Sequence, residues 1–390
     1  MSEIKVNSIK GVGASSAAIT VNNTDGSCSV NNTKRQGKNL LVNGACLIAQ
    51  RGSSSTVSGY GSVDRMNITF SGHDEAPTQA QVDVASGTTP YTLGFRKALR
   101  ITNGNQTSGA GAADYIQFRH SLESQDIASS GWNYTSTSSF ITLTFYVKSS
   151  VAQNFYGTLR TRDGTLYAYP FETGSLSADT WTKVTKTVTG AASLQFDNDN
   201  GVGFDIFLWP FRGTDYTGSG ATLNQWQNWN SAEATPDSTT TWYTTNDATF
   251  EITGVQLEVG SVATDFEHRS FAQELALCQR YYFRFTTSVA GTNVGMGYQM
   301  TSSAAKIVLP FPTSMRTRPT AVETTGTASD YSVARTNTYE NCNVVPTFAG
   351  ASKEVANVNT NQTQASLSGG LAVALRAHTT DFFLGFSAEL

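Results

Sequence analysis

The chain has 390 residues, only 14% of them charged, a formal net charge of −4 and no run of lysine or arginine. The missing basic stripe argues against nucleic acid as a partner, and no apolar stretch approaches the ~18 residues that a membrane helix needs. Low charge with abundant Ser, Thr, Asn and Gly suits exposed β faces and turns, so the expectation is an all-β protein with two domains, each long enough to bury its own core.

Residues 1–37 are poor in aromatics and cannot build a core alone. Ile19 and Val21, then Cys28 and Val30, flank NNTDGS as the two sides of a hairpin do. This extended arm needs something to dock on. It lacks the apolar core of a secretory signal, GVGASSAAITV being too short and too polar. Four cysteines, Cys28, Cys46, Cys278 and Cys342, lie far apart without a CxxC pair and read as free, buried thiols.

From 38 to 269 short strands recur. Ile141, Leu143, Phe145 and Val147 share one face, and Thr142, Thr144, Tyr146 and Lys148 share the other. FYGTLRTRDGTLYAYPF (155–171) is a hairpin candidate with Asp163-Gly164 at its tip, and FDIFLWPF (204–211) reads as a central sandwich strand. TWTKVTKTV reads as a core strand that includes Trp181. Phe250 and Ile252 alternate in one phase and Val255, Leu257 and Val259 in the other, so the strand slips by one residue around Gly254, as at a β-bulge. Together these features point to a sandwich or jelly roll.

Within this region a polar insertion at 213–247 carries Tyr216, Trp226, Trp229, Trp242 and Tyr243 among Ser, Thr and Asn. A sugar needs a flat ring for its C–H face and amides or carboxylates for its hydroxyls, so these five are ligand-binding candidates. The alternative is that the rings plug the end of the sandwich. Next, Phe271, Leu275, Cys278 and Tyr282 recur at helical spacing. They form either a neck where three chains meet or a face packed on their own sandwich. FRFTTSVAGTNVGMGYQM (283–300) is a second hairpin candidate, and short strands continue to 390. Tyr331, Arg335 and Tyr339 in SDYSVARTNTYEN are exposed-looking binding candidates in this second β domain.

Catalytic signatures are missing: there is no GxSxG, HExxH, P-loop or GxGxxG opening a helix. The expectation is a binder without a cofactor, although a carboxylate pair for glycoside cleavage remains open. His73, His120, His268 and His378 read as surface or locally hydrogen-bonded side chains. Asp197-Asn198-Asp199-Asn200-Gly201 begins like a calcium loop but has Leu208 where the closing glutamate would stand. An Asn/Asp-rich turn is the favoured reading, with Asp197 and Asp199 as the only cation candidates.

NLLVNGACLIAQRG (39–52), FITLTFYVKSS (140–150) and TWTKVTKTVTG (180–190) resemble the jelly-roll modules, similar to carbohydrate-binding modules, of bacteriophage tail fibres. FEHRSFAQELALCQRYY (266–282) resembles fibres of marine, cyanophage-like viruses. LPFPTSMRTRPT (309–320) and SAEL (387–390) are similar to fibre C-terminal domains, and SEIKVNSIKG (2–11) to a tail-attachment end. The resemblance implies a homotrimeric virion appendage. Residues 1–37 would bind a tail adaptor or nozzle protein, 38–269 would form the jelly roll, 270–283 a helical neck, and 284–390 a receptor-binding β domain that meets host surface glycan. It implies neither nucleic-acid binding nor membrane insertion. The rivals are a purely structural adaptor or decoration protein and a polysaccharide depolymerase. A cell-encoded sugar module is disfavoured by the missing export signal.

Overall fold

In the computed structural model, which describes residues 8–9, 19–21, 28–30, 37–336, 338–362 and 368–390, the alternation along residues 141–148 becomes packing. Ile141, Leu143, Phe145 and Val147 face a core shared by two six-stranded sheets. The first sheet has the order Gln227–Asn228, Tyr167–Ser175, Asn154–Thr161, Val202–Arg212, Tyr115–Glu123, Asn67–Ser71. The second has the order Thr182–Thr189, Phe140–Ser149, Thr249–Val259, Lys97–Thr102, Thr78–Asp83, Ser54–Ser55. All pairings within them are antiparallel, and the chain crosses repeatedly from one sheet to the other, the winding of a jelly roll.

Three local readings hold. The 155–171 segment is a hairpin with Arg160 opposite Ala168 and Gly164 at φ 59° in the turn. FDIFLWPF lies in the strand Val202–Arg212, between two neighbours. In Thr249–Val259 the register with Phe140–Ser149 shifts between Thr253 and Gln256, and Gly254 has φ 64°. A side chain there would collide with Phe95, whose Cζ lies 2.6 Å from where a Cβ would sit, so glycine is required twice over.

The second domain has its own core and combines a three-stranded with a seven-stranded antiparallel sheet. Here the expected hairpin at 283–300 does not form. Tyr282–Thr286 pairs with the last strand, Phe383–Ser387, while Asn293–Gln299 pairs with Ala304–Pro310 and Ala372–Ala377. Phe283, Phe285 and Phe386 explain the choice: edge-to-face contacts, 4.6 Å between the first two and 6.1 Å between the last two, tie the first strand to the end of the chain. In the arm, Ile19–Val21 and Cys28–Val30 pair as read, with Ser8–Ile9 as a third strand. The remaining residues before Gly37, expected to form an attachment arm, lie outside the described residues.

The helix is shorter than its apolar spacing suggests, running Phe271–Gln279 behind a capping box of Ser270 and Gln273. The stripe Phe271, Leu275, Cys278, Tyr282 is therefore broken. Phe271 is 62% exposed, Tyr282 is buried in a strand, and the face turned to the sandwich is Glu274 and Cys278. Glu274 wins that face because its carboxylate accepts the Asn43 backbone N–H at 2.5 Å and stands 3.5 Å from Arg269. Cys46, Cys278 and Cys342 are buried free thiols, as expected for those three. Among the described residues no helix is long and apolar enough to cross a membrane.

Polar contacts lock the two domains together. Glu123 at the end of a sandwich strand accepts from Nε and Nη2 of Arg280 at 2.8 Å each and from the Tyr281 hydroxyl at 2.7 Å. Burial would raise its pKa, but the hydrogen bonds from Arg280 and Tyr281 outweigh this and hold it below the usual carboxylate range. Glu389 is paired with Arg51 and Arg65 of the sandwich. Arg316 donates to the carbonyls of Asn200, Ala388 and Glu389.

Candidate functional site

The outer face of the second sheet is not open to solvent throughout. Thr144 and Tyr146, from the polar side of Phe140–Ser149, are both buried because the segment 262–268 and the turn at 93–95 rise over them. Between these walls lies a cleft of about 330 Å³, within the ~300–1,000 Å³ typical of small-ligand sites. Its floor is Thr144, Tyr146 and Gln256, and its walls are Phe95, Phe266 and His268.

The rings form one cluster. Phe95 lies 5.7 Å from Tyr146, 4.9 Å from Phe266 and 5.1 Å from His268. His268 is fixed by a 2.9 Å contact of Nε2 with the Leu93 carbonyl, which places the proton on Nε2, since a carbonyl can only accept. The wall segment is tied down from beneath. Glu258 accepts from Thr264, Gln256 accepts the Glu267 N–H at 2.8 Å, and Glu267 accepts the Asn39 N–H at 2.7 Å. Arg269 completes the corner by donating to the Leu41 carbonyl at 3.0 Å. The pocket is thus preorganised by hydrogen bonds that run from its own Gln256 and Thr264 to residues behind it.

Polar groups complete this frame. The Thr144 hydroxyl is buried without a hydrogen-bond partner, and Lys183 and Asp265 stand exposed at the rim. Burial, and after it the Asp265 charge, pushes the Tyr146 hydroxyl pKa up, so it is a neutral phenol over the physiological range. Rings, hydroxyls and one charge of each sign suit a neutral, polyhydroxylated ligand held by C–H packing and hydrogen bonds.

The tryptophan-rich insertion has another place. Trp242 and Tyr243 are 0% exposed and belong to the sandwich core: Trp242 donates to the Thr249 carbonyl at 3.0 Å and Tyr243 stacks on Phe211 at 4.2 Å. They plug the sandwich instead of presenting rings to a ligand. Trp226 is half-buried against the same core and donates to Thr189 at 2.8 Å. Trp229 and Tyr216 are half-buried on the outer face of the first sheet, beside Arg160 and Arg212.

In the second domain Tyr331 is buried, its hydroxyl donating to Phe383 and accepting from Thr325, so it does not belong to a surface site. Arg335 pairs with Glu340, and Tyr339 is exposed under Arg376. His120 departs from its reading: it is 1% exposed with neither ring nitrogen hydrogen-bonded. Asp199 accepts the Gly201 N–H at 2.8 Å in a tight turn, and Asp197 faces Gln195. Among the described residues no group of three His, Cys, Asp or Glu side chains could hold a metal.

No family model and no curated protein matches the chain. Solved structures similar to it include the enzymatically active domain of tailspike protein 4 of bacteriophage CBA120, at 8% identity and TM-score 0.30, covering 57% of this chain and 21% of that one. Others are a family 11 carbohydrate-binding module from Clostridium thermocellum, at 11% identity and TM-score 0.25 over 55% and 98% of the two chains, and a putative sugar binding protein from Bacteroides thetaiotaomicron, at 12% and 0.27 over 57% and 100%. The chain spans about a fifth of the tailspike chain it matches. Likenesses this loose assign no activity.

Proposed function

We propose that the protein is a glycan-binding attachment protein of a viral tail, and that the cleft over Thr144 and Tyr146 is its sugar site. The observation that carries this is the cleft itself: a rigid ring cluster around a buried hydroxyl that lacks a partner. A neutral sugar supplies both complements, a C–H face for the rings and an oxygen for Thr144. The cleft binds without cutting, and one such site binds at about millimolar strength, near −4 kcal/mol.

Weak sites attach firmly only in numbers. A homotrimer anchored by residues 1–37 to a tail adaptor or nozzle protein would raise the effective affinity by ~10²–10⁴. What favours several copies is a row on the seven-stranded sheet where Tyr339, Ala334, Ala374, Met296 and Val308 lie in register, Met296 63% exposed. Such an apolar row suits contact with a second copy or with the host surface.

The test is a screen of the whole chain against host envelope polysaccharides, with Tyr146→Ala beside it. Expected is saturable binding that Tyr146→Ala weakens about tenfold or more, without release of reducing ends. Equal binding by both proteins would overturn the cleft, and steady release of reducing sugar would replace the binder by a depolymerase. Solution mass checks the trimer separately.

A further inference from the structure

The opposite face of the sandwich carries a different chemistry. On the first sheet, register places Thr158, Phe207 and Arg119 in one row and Arg160, Asp205 and Ser121 in the next. Asp205 is committed, to Arg160 at 2.8 Å, to Arg162 at 3.7 Å and to the Ser121 hydroxyl at 2.6 Å. Arg212 has no such partner. It is 6% exposed, forms no ion pair among the described residues, and its Nε and Nη1 are buried without acceptors.

The orphan donors cluster. Arg212 lies over the Trp209 ring at 3.8 Å and 5.3 Å from Tyr216, while Arg160 lies 4.6 Å from Trp229. The Nε of Arg160 and the indole N–H of Trp209 also lack acceptors. Among the described residues no acid of the covering loop forms an ion pair with Arg212: Glu233 holds Asn230, and Asp237, which lines the same small pocket as Arg212, holds Thr217. Burial, and then the like charge of Arg160, pushes the Arg212 pKa down to about 9, the mark of a cation deprived of its counterion. Rings alone do not replace water around a guanidinium. What these donors lack is an acceptor, and an oxyanion carries nothing else.

We infer that Arg212, with Arg160 and the Trp209 indole, forms an oxyanion site, which takes the carboxylate or sulfate group of an acidic saccharide or the corresponding free anion. This site is separate from the cleft on the second sheet and does not depend on it.

Calorimetric titration of the whole chain with sodium sulfate, with oligogalacturonate and with its methyl ester tests this. Sulfate and oligogalacturonate bind and Arg212→Met weakens both about tenfold or more, whereas any binding of the neutral ester is the same in wild type and Arg212→Met. Asp205→Asn, which removes the competing carboxylate, strengthens it, a gain that misfolding cannot imitate. Binding of sulfate without oligogalacturonate supports the site and assigns it to free anions. Tyr146→Ala leaves all of this unchanged, which separates the two sites. Binding of neither anion, or equal binding by wild type and Arg212→Met, overturns the inference.

Discussion

Single buried polar groups in this fold give opposite lessons about stability and binding. His120 occupies a core-facing position between Phe118 and Leu122, and burial first, then the charges of Arg65 and Arg119, depress its pKa well below 6.5. The unfolded chain therefore binds a proton near pH 6.5 that the folded chain refuses. Stability is complete above that pH and falls by about 1.4 kcal/mol per unit as pH drops below it. In chemical denaturation across pH 5–8 the stability difference between wild type and His120→Phe should carry that slope, because the opposing proton uptake of Asp64, whose pKa burial raises to about 6, is common to both, as is the loss below ~4.5 that comes from protonating Glu123, whose pKa is held low. An unchanged slope would place its origin elsewhere. Thr144 offers the complementary case. Its unpartnered hydroxyl costs the free protein about 1–3 kcal/mol, so Thr144→Val should raise the melting temperature and yet weaken sugar binding, a pairing that a purely structural threonine would not show.

At the scale of strands and helices, elements written in local pattern were legible and elements chosen by distant partners were not. The bulge at Gly254 could be read because both phases of alternation lie in one stretch. Gly254→Ala forces a side chain into positive φ and against Phe95, and thermal unfolding should reveal a loss of about 2–3 kcal/mol. The 283–300 hairpin failed because Tyr282–Thr286 pairs with a strand about 100 residues on, which no turn residue announces. The helix stripe failed for a related reason. Spacing showed four apolar positions, but the buried position at 274 is a glutamate whose partner, the Asn43 backbone, is far away in sequence. The cleft was hidden by the same logic. Its floor and walls come from residues 93–95, 144–146, 183 and 254–268, neighbours only once the second sheet is built, whereas the tryptophans drew attention by being close together. Burial of Trp242 and Tyr243 shows why aromatic density alone misleads: large rings are as useful for closing the end of a core as for binding.

For the molecule as a whole the question is whether the domains move independently. Inter-domain contacts inside one chain are commonly small and polar, which makes relative motion the default. Here two buried carboxylates are each held across the junction, Glu123 by Arg280 and Tyr281 and Glu389 by Arg51 and Arg65. Removing one member of such a set strands the others as uncompensated charges, a cost of about 3–5 kcal/mol. The proposed attachment role would gain from this stiffness, because the proposed sugar site on the sandwich and contact surface on the second domain can be engaged together only if their spacing is fixed. The wild-type chain should therefore unfold in one calorimetric transition. Arg280→Ala, which leaves Glu123 buried without its cation, should split it into two, each domain melting on its own core, with sugar affinity per site unchanged because the cleft lies on the other sheet. Two transitions already present in the wild type would show the domains to be uncoupled, and a single lowered transition in Arg280→Ala would mean that the remaining contacts through Glu389 and Arg316 suffice to keep the two cores cooperative.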